Sequence, residues 1–121
     1  MMRFPIRFDR WYAGLSSVLL LPPRDSYVEV GDEVVVRMGW AFRASFPRAF
    51  VVRASLHPGT VISRGVHGFG GRWLVNGSSQ GLVMMELAPE QRGRVMGVPV
   101  KLRELMVSVE QPEALVDHLK A

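Results

Sequence analysis

A chain of 121 residues that is 48% apolar carries enough hydrophobic material for one domain with its own core, which excludes an intrinsically disordered chain. The absence of cysteine excludes disulfide staples, thiolate metal sites and thiol nucleophiles. The formal net charge of +4, from 13 arginines and 2 lysines against 11 acids, permits an anionic partner without requiring one.

Arg3 to Phe8 alternates, with Phe4, Ile6 and Phe8 on one face, and Pro5 marks the segment as an edge strand. Asp9 suits a helix N-cap. Trp11, Leu15, Val18 and Leu19 follow at helical spacing, and Pro22-Pro23 stops that short N-terminal helix. The apolar run Val18 to Leu21 is far shorter than the roughly 20 residues of a membrane span, and no secretory pattern accompanies it. The expectation is a cytoplasmic protein with no transmembrane segment.

Ser26 to Val30 reads as a strand, with Gly31-Asp32 as its turn. From Val34 to Phe46 the even positions Val34, Val36, Met38, Trp40, Phe42, Ala44 and Phe46 are apolar, while Arg37 and Arg43 fall on the odd face. This predicts one long strand, bent near Gly39, with Trp40 and Phe42 in the core. Pro47-Arg48 turns the chain, and Phe50 to Leu56 alternates again with Arg53 outward. Thr60 to Ser63 reads as a stub strand, and Gly65 to Gly71 as a glycine-rich connection containing His67 and Phe69.

Asn76-Gly77 predicts a hairpin joining Arg72–Val75 to Gly81–Leu87. Ala88 to Gln91 reads as a turn. Arg94 to Val109 is strand-like, with a break at Gly97-Val98-Pro99 and a parity switch near Glu104 that predicts a bulge. Pro112 opens a last helix whose Leu115, Val116 and Leu119 face inward, with Lys120 at its negative end.

Chemistry-bearing residues are sparse. His57, His67 and His118 have no metal-ligand spacing, and no serine sits in a nucleophile elbow. No catalytic residue, metal or cofactor is expected. The glycine-rich segment runs from strand to strand, unlike phosphate loops that enter a helix, although Phe69, Arg72 and Trp73 could form a ligand mouth beside His67. The strongest surface is arginine: Arg37, Arg43 and Arg53 on outward faces of strands expected to pair, with Arg48 at their turn. Such a stripe binds anionic headgroups, nucleic acid or an acidic partner. The simpler reading of the same stripe, and the preferred one, is a solvated face that deters edge aggregation.

Seven or so short strands followed by one helix describe a small antiparallel barrel. The segments Arg3–Phe8, Arg37–Ala44, Gly71–Ser78 and Leu105–Leu119 resemble a bacterial family of pleckstrin-homology-like domains of unassigned activity. The resemblance implies a single barrel over residues 1–121 with the C-terminal helix capping one open end. It does not imply phosphoinositide binding, because the loop corresponding to the lipid-holding one, Gly31-Asp32, is short and acidic.

The reading that follows is a non-enzymatic binding or scaffold module engaging a protein partner or a second copy of itself. Two alternatives stay open. One is a carrier or enzyme holding an apolar ligand beside Met38, Met84, Met85 and Met96. The other is an electrostatic binder using the arginines, with contact to an anionic membrane surface open and nucleic acid disfavoured. The last judgement rests on Trp40 and Phe42 falling on the core parity, where they cannot stack on bases.

Overall fold

Alternation makes one face of each strand oily, and a sheet with one oily face curls to bury it. The computed structural model describes residues 2–10, 14, 25–57 and 65–120, with backbone only at 65, 67 and 69. The strands are β1 (Met2–Pro5), β2 (Ser26–Val30), β3 (Glu33–Met38), β4 (Phe42–Pro47), β5 (Val51–Leu56), β6 (Gly65–Phe69), β7 (Arg72–Asn76), β8 (Leu82–Val95) and β9 (Val98–Ser108). One C-terminal helix, α1 (Pro112–Lys120), follows them. The strands form one sheet in the order β1-β2-β3-β4-β8-β9-β7-β6, with β5 paired to β8 off that path. The sheet curls into a half-barrel rather than the closed barrel expected. Beyond β1 the chain runs on to bridges between Ile6 and Val109 and between Phe8 and Gly77, which carry the first edge round toward β9 and β7. The expected N-terminal helix and the Thr60–Ser63 stub lie outside the described residues.

The long alternating segment is two strands, not one. Met38 pairs with Phe42 across a three-residue turn, and Val36 with Ala44, Val34 with Phe46. An odd loop places even positions opposite even positions, so the hairpin preserves the parity a single strand would show. Val34, Val36, Met38, Phe42, Ala44 and Phe46 are buried accordingly. Trp40, at the tip, is 54% exposed. Its inward placement is corrected for this reason: it belongs to the turn, where parity has no meaning.

The corner expected in that segment occurs instead at a single 3-10 turn, Arg48–Phe50, between β4 and β5. The two strands pair with successive stretches of β8: Phe42–Ala44 with Gly93–Val95, and Val51–Leu56 with Val83–Leu87. β8 bends where its register shifts between Glu86 and Gln91, opposite Arg103 on β9. Ala88 to Gln91 is therefore a bulge within one strand rather than a turn. It lies beside the parity switch near Glu104, with Leu102, Leu105 and Val107 all buried.

Asn76-Gly77 makes no hairpin. β9 lies between β7 and β8, and β7 runs parallel to it, Trp73 opposite Leu105 and Val75 opposite Val107. This is a departure from the all-antiparallel expectation. The glycine-rich segment is instead a hairpin, β6 against β7, closed by Gly70 and Gly71 at φ 64° and 86°. Positive φ at both central residues is the turn that matches strand twist, and glycine adopts it without strain.

The core is one cluster. Phe42, Phe46, Met38, Met85, Leu102, Leu105 and Leu115 are fully buried. Pro112 starts α1, and Leu115, Val116 and Leu119 form its buried face against β5 and β8. His118 meets the edge of Phe4 at 5.2 Å.

Asn76, Ser78 and Ser108 are buried polar residues that tie the N-terminal segment down. Ser108 Oγ donates to Arg7 O and accepts from Gly77 N, each at 3.0 Å. Ser78 Oγ donates to Asp9 Oδ1 at 2.9 Å, and Asn76 Nδ2 donates to Ser78 O at 2.8 Å. Burial without partners would cost each group several kcal/mol; here the bonds offset that cost and fix residues 7–9 in place.

A candidate anion-binding face

Arg37 and Arg43 occupy odd positions of β3 and β4, and the hairpin register sets them directly opposite each other. Arg43 in turn faces Arg94 of β8. One row therefore crosses the outer surface, reading Tyr27, Arg37, Arg43, Arg94 and Pro99 from β2 to β9. With strands about 4.8 Å apart, three guanidinium-bearing positions fall within about 10 Å. The pair Arg92 and Lys101 lies one step further along β8 and β9, also exposed. Among the described residues none of these five cations has an ion-pair partner, whereas Arg3, Arg53, Arg72 and Arg103 pair with Glu29, Glu86, Glu104 and Glu90.

Two shallow recesses flank the row. One, of about 320 Å³, is lined by Arg43, Ser45, Arg92, Gly93, Arg94 and Pro99. The other, of about 210 Å³, is lined by Gly39, Trp40, Arg43, Arg94 and Gly97. The second opens at the end of the sheet where the β3–β4 and β8–β9 turns meet. Met96 N donates to Ala41 O at 2.9 Å, joining the two turns. Arg37 Nε donates to Gly39 O at 3.4 Å and Arg94 Nη1 to Gly97 O at 3.0 Å, so each turn carbonyl holds an arginine at the rim. Trp40, Met96 and Val98 expose 54%, 63% and 62% of their surface there.

The structure divides the arginines that the sequence grouped. Arg37 and Arg43 come together. Arg53 does not join them, because β5 pairs with β8 and not with β4; its Nε lies 3.8 Å from Glu86 Oε2. Arg48 sits at the opposite end of the β3–β4 hairpin, where its N–H donates to Asp32 O at 2.9 Å. The length of β3, about 20 Å at strand rise, separates it from the turn at Gly39. Arg72 lies across from Glu104 with Nε 3.5 Å from Oε2. Trp73 is half-buried against the core, and a Cβ at Gly68 would stand 2.2 Å from its ring, so the Gly68 backbone and the indole are in close register. His67 and Phe69 lie on β6 opposite Leu74 and Arg72. Residues 67 to 73 thus form a hairpin of their own, apart from the basic row.

Arg94, Arg92 and Lys101 were missed. Their signal lay in the alternation Arg92-Gly93-Arg94 ahead of Met96-Gly97, a two-residue turn with φ 49° and 83°. The four methionines proposed to line a ligand cavity do not converge. Met38 and Met85 are fully buried, Met84 has the opposite parity on β8, and Met96 is exposed. Among the described residues no group of His, Asp or Glu has metal-binding geometry, and no helix is long and apolar enough to cross a membrane. Compared with models of known families, with curated proteins and with solved structures, the chain matches none.

Proposed function

We propose that the chain is a non-enzymatic binding module of pleckstrin-homology-like build, and that it engages an anionic partner through Arg37, Arg43 and Arg94. The carrying observation is the direct cross-strand stacking of these three arginines with no carboxylate set against them among the described residues. Like charges placed opposite each other destabilise a sheet. A fold that retains three in a row keeps a field whose energy is recovered when an anion arrives. Arginine suits the task because its fork accepts phosphate or carboxylate oxygens two at a time.

Retention of the full chain on immobilised heparin tests this reading. Binding falls steeply as salt rises, and Arg43→Gln and Arg94→Gln each elute at lower salt than the parent. Arg53→Gln, whose side chain is already matched by Glu86, elutes with the parent. Equal elution of all three variants removes the assignment of this face.

A second reading is favoured by a separate observation. β5 pairs with β8 alone and exposes Val52 at 60% and Leu56 at 46%, beside a recess of about 480 Å³ bordered by Leu119 and Lys120. An apolar edge strand of this kind supports self-association. Light scattering across a concentration series decides it: a dimer that Val52→Lys dissociates supports the reading, and a monomer at every concentration ends it.

A further inference from the structure

Resting on the anionic-face reading, we infer that the anionic partner is a membrane surface, with the joined β3–β4 and β8–β9 turns entering the lipid interface and the arginine row holding headgroup phosphates. Three observations converge on it. The first is chemical. The large apolar side chains exposed at this end, among the described residues, are Trp40, Met96 and Val98, and they adjoin five cations, Arg37, Arg43, Arg92, Arg94 and Lys101. Tryptophan settles at the boundary of water and hydrocarbon, and four to eight clustered basic residues beside an apolar element match an anionic leaflet. Asp25 O accepts from Gly39 N–H at 3.0 Å, which places one acid at this end against five cations.

The second is dimensional. Arg37 and Arg43 form the second pair below the turn, next to Met38 and Phe42, and Arg94 stands next to Val95, the last residue of β8. The tips therefore project about two residues, or roughly 7 Å, beyond the arginine row. That is the depth, about 5–10 Å, to which interfacial elements bury their apolar side. The backbone of the arginine row is then level with the headgroups when Trp40 and Met96 are among acyl chains, and the Arg37 and Arg94 side chains reach up to the Gly39 and Gly97 carbonyls at the boundary.

The third concerns the backbone. A turn can enter a region poor in water only if its polar groups are already bonded. Here Ala41 N donates to Met38 O, Met96 N to Ala41 O, Arg37 to Gly39 O and Arg94 to Gly97 O. The arginines that would grip phosphate also satisfy the turn carbonyls. A single-stranded nucleic acid is the weaker fit, because it asks for successive aromatic platforms, and this end offers one indole beside two side chains without a stacking face.

The test uses the full chain with vesicles of phosphatidylcholine alone and with roughly a third phosphatidylglycerol, a composition that supplies a negative surface potential. Expected is sedimentation with the anionic vesicles alone and a blue shift of tryptophan emission on binding. Trp40→Phe keeps the sedimentation and loses the shift. Trp40→Ala and Met96→Asn each weaken vesicle binding about tenfold while heparin retention stays within about twofold. Arg43→Gln weakens both, by about fivefold on vesicles, the equivalent of about 1 kcal/mol for one basic residue at an anionic surface. Heparin retention without vesicle binding, or tighter binding to a single-stranded oligonucleotide than to vesicles, overturns the membrane assignment and leaves the anionic-face reading standing. Vesicle binding indifferent to Trp40→Ala and Met96→Asn overturns it as well. Failure to bind heparin and vesicles alike sinks both.

Discussion

Trp40 and Phe42 are two positions apart and share a sequence parity, yet one is over half exposed and the other is fully buried. The energetic consequence is lopsided. Phe42→Ala empties a core site and is expected to cost about 3–5 kcal/mol. Trp40→Ala touches a turn and should stay within about 0.5 kcal/mol of the parent. Urea denaturation of the two variants measures the contrast, and a large loss at Trp40 would show that the indole is packed. Ser108 is the other informative residue. Its hydroxyl donates to Arg7 O and accepts from Gly77 N, so Ser108→Ala leaves a part-buried carbonyl and a buried N–H unmatched. The expected loss is about 1–3 kcal/mol, with proteolysis accelerated at the N-terminal segment that this serine holds.

At the scale of elements, two features of the basic end trade stability for something other than folding. Arg43 lies between Arg37 and Arg94 on neighbouring strands. Arg43→Gln relieves both repulsions and should stabilise the fold by about 0.2–1 kcal/mol, most at low salt, where screening is weakest. A thermal melt at two ionic strengths reads the effect; a destabilised variant would mean the guanidinium is structurally required. Met96 takes φ 49° in the β8–β9 turn, a left-handed conformation that costs a bulky L-residue roughly 1–2 kcal/mol. Met96→Asn creates the Asn-Gly pair preferred in this turn and is expected to raise the melting temperature. A lower melting temperature would show that the methionine side chain contributes packing that its exposure denies. A residue that strains its own turn and faces solvent is poorly explained by stability and well explained by contact with a partner.

For the whole molecule the sheet acts as a frame that gathers charge from distant segments. Arg43 reaches Arg94 because β4 and β8, half a chain apart, are neighbours. α1 covers the core at β5 and β8 through Leu115, Val116 and Leu119. Removing residues 112–121 exposes that core, so the truncated chain should lose cooperative thermal unfolding and bind hydrophobic dyes. A sharp transition in the truncated chain would show that the half-barrel is sufficient without its helix.

The local periodicities were legible from the residues alone. Phe4 of β1 with its edge proline and Ile6 just beyond it, the buried even positions of β3 and β4, the bulge beside Glu104 and the inward face of α1 all follow from spacing, because side-chain direction is fixed by backbone period. Pairing was not legible. A three-residue turn keeps parity, so a bent strand and a hairpin read alike from Val34 to Phe46, and only the fold put Trp40 at a tip. Asn76-Gly77 carries the strongest local turn signal, but β9 occupies the place between β7 and β8, and tertiary pairing outweighs a local preference worth about 1 kcal/mol. The arginine row divides the same way. Sequence placed Arg37 and Arg43 outward, while the register of β4 against β8 added Arg94 and sent Arg53 to Glu86, since strand order depends on how the whole sheet buries its apolar face and no short window contains that information.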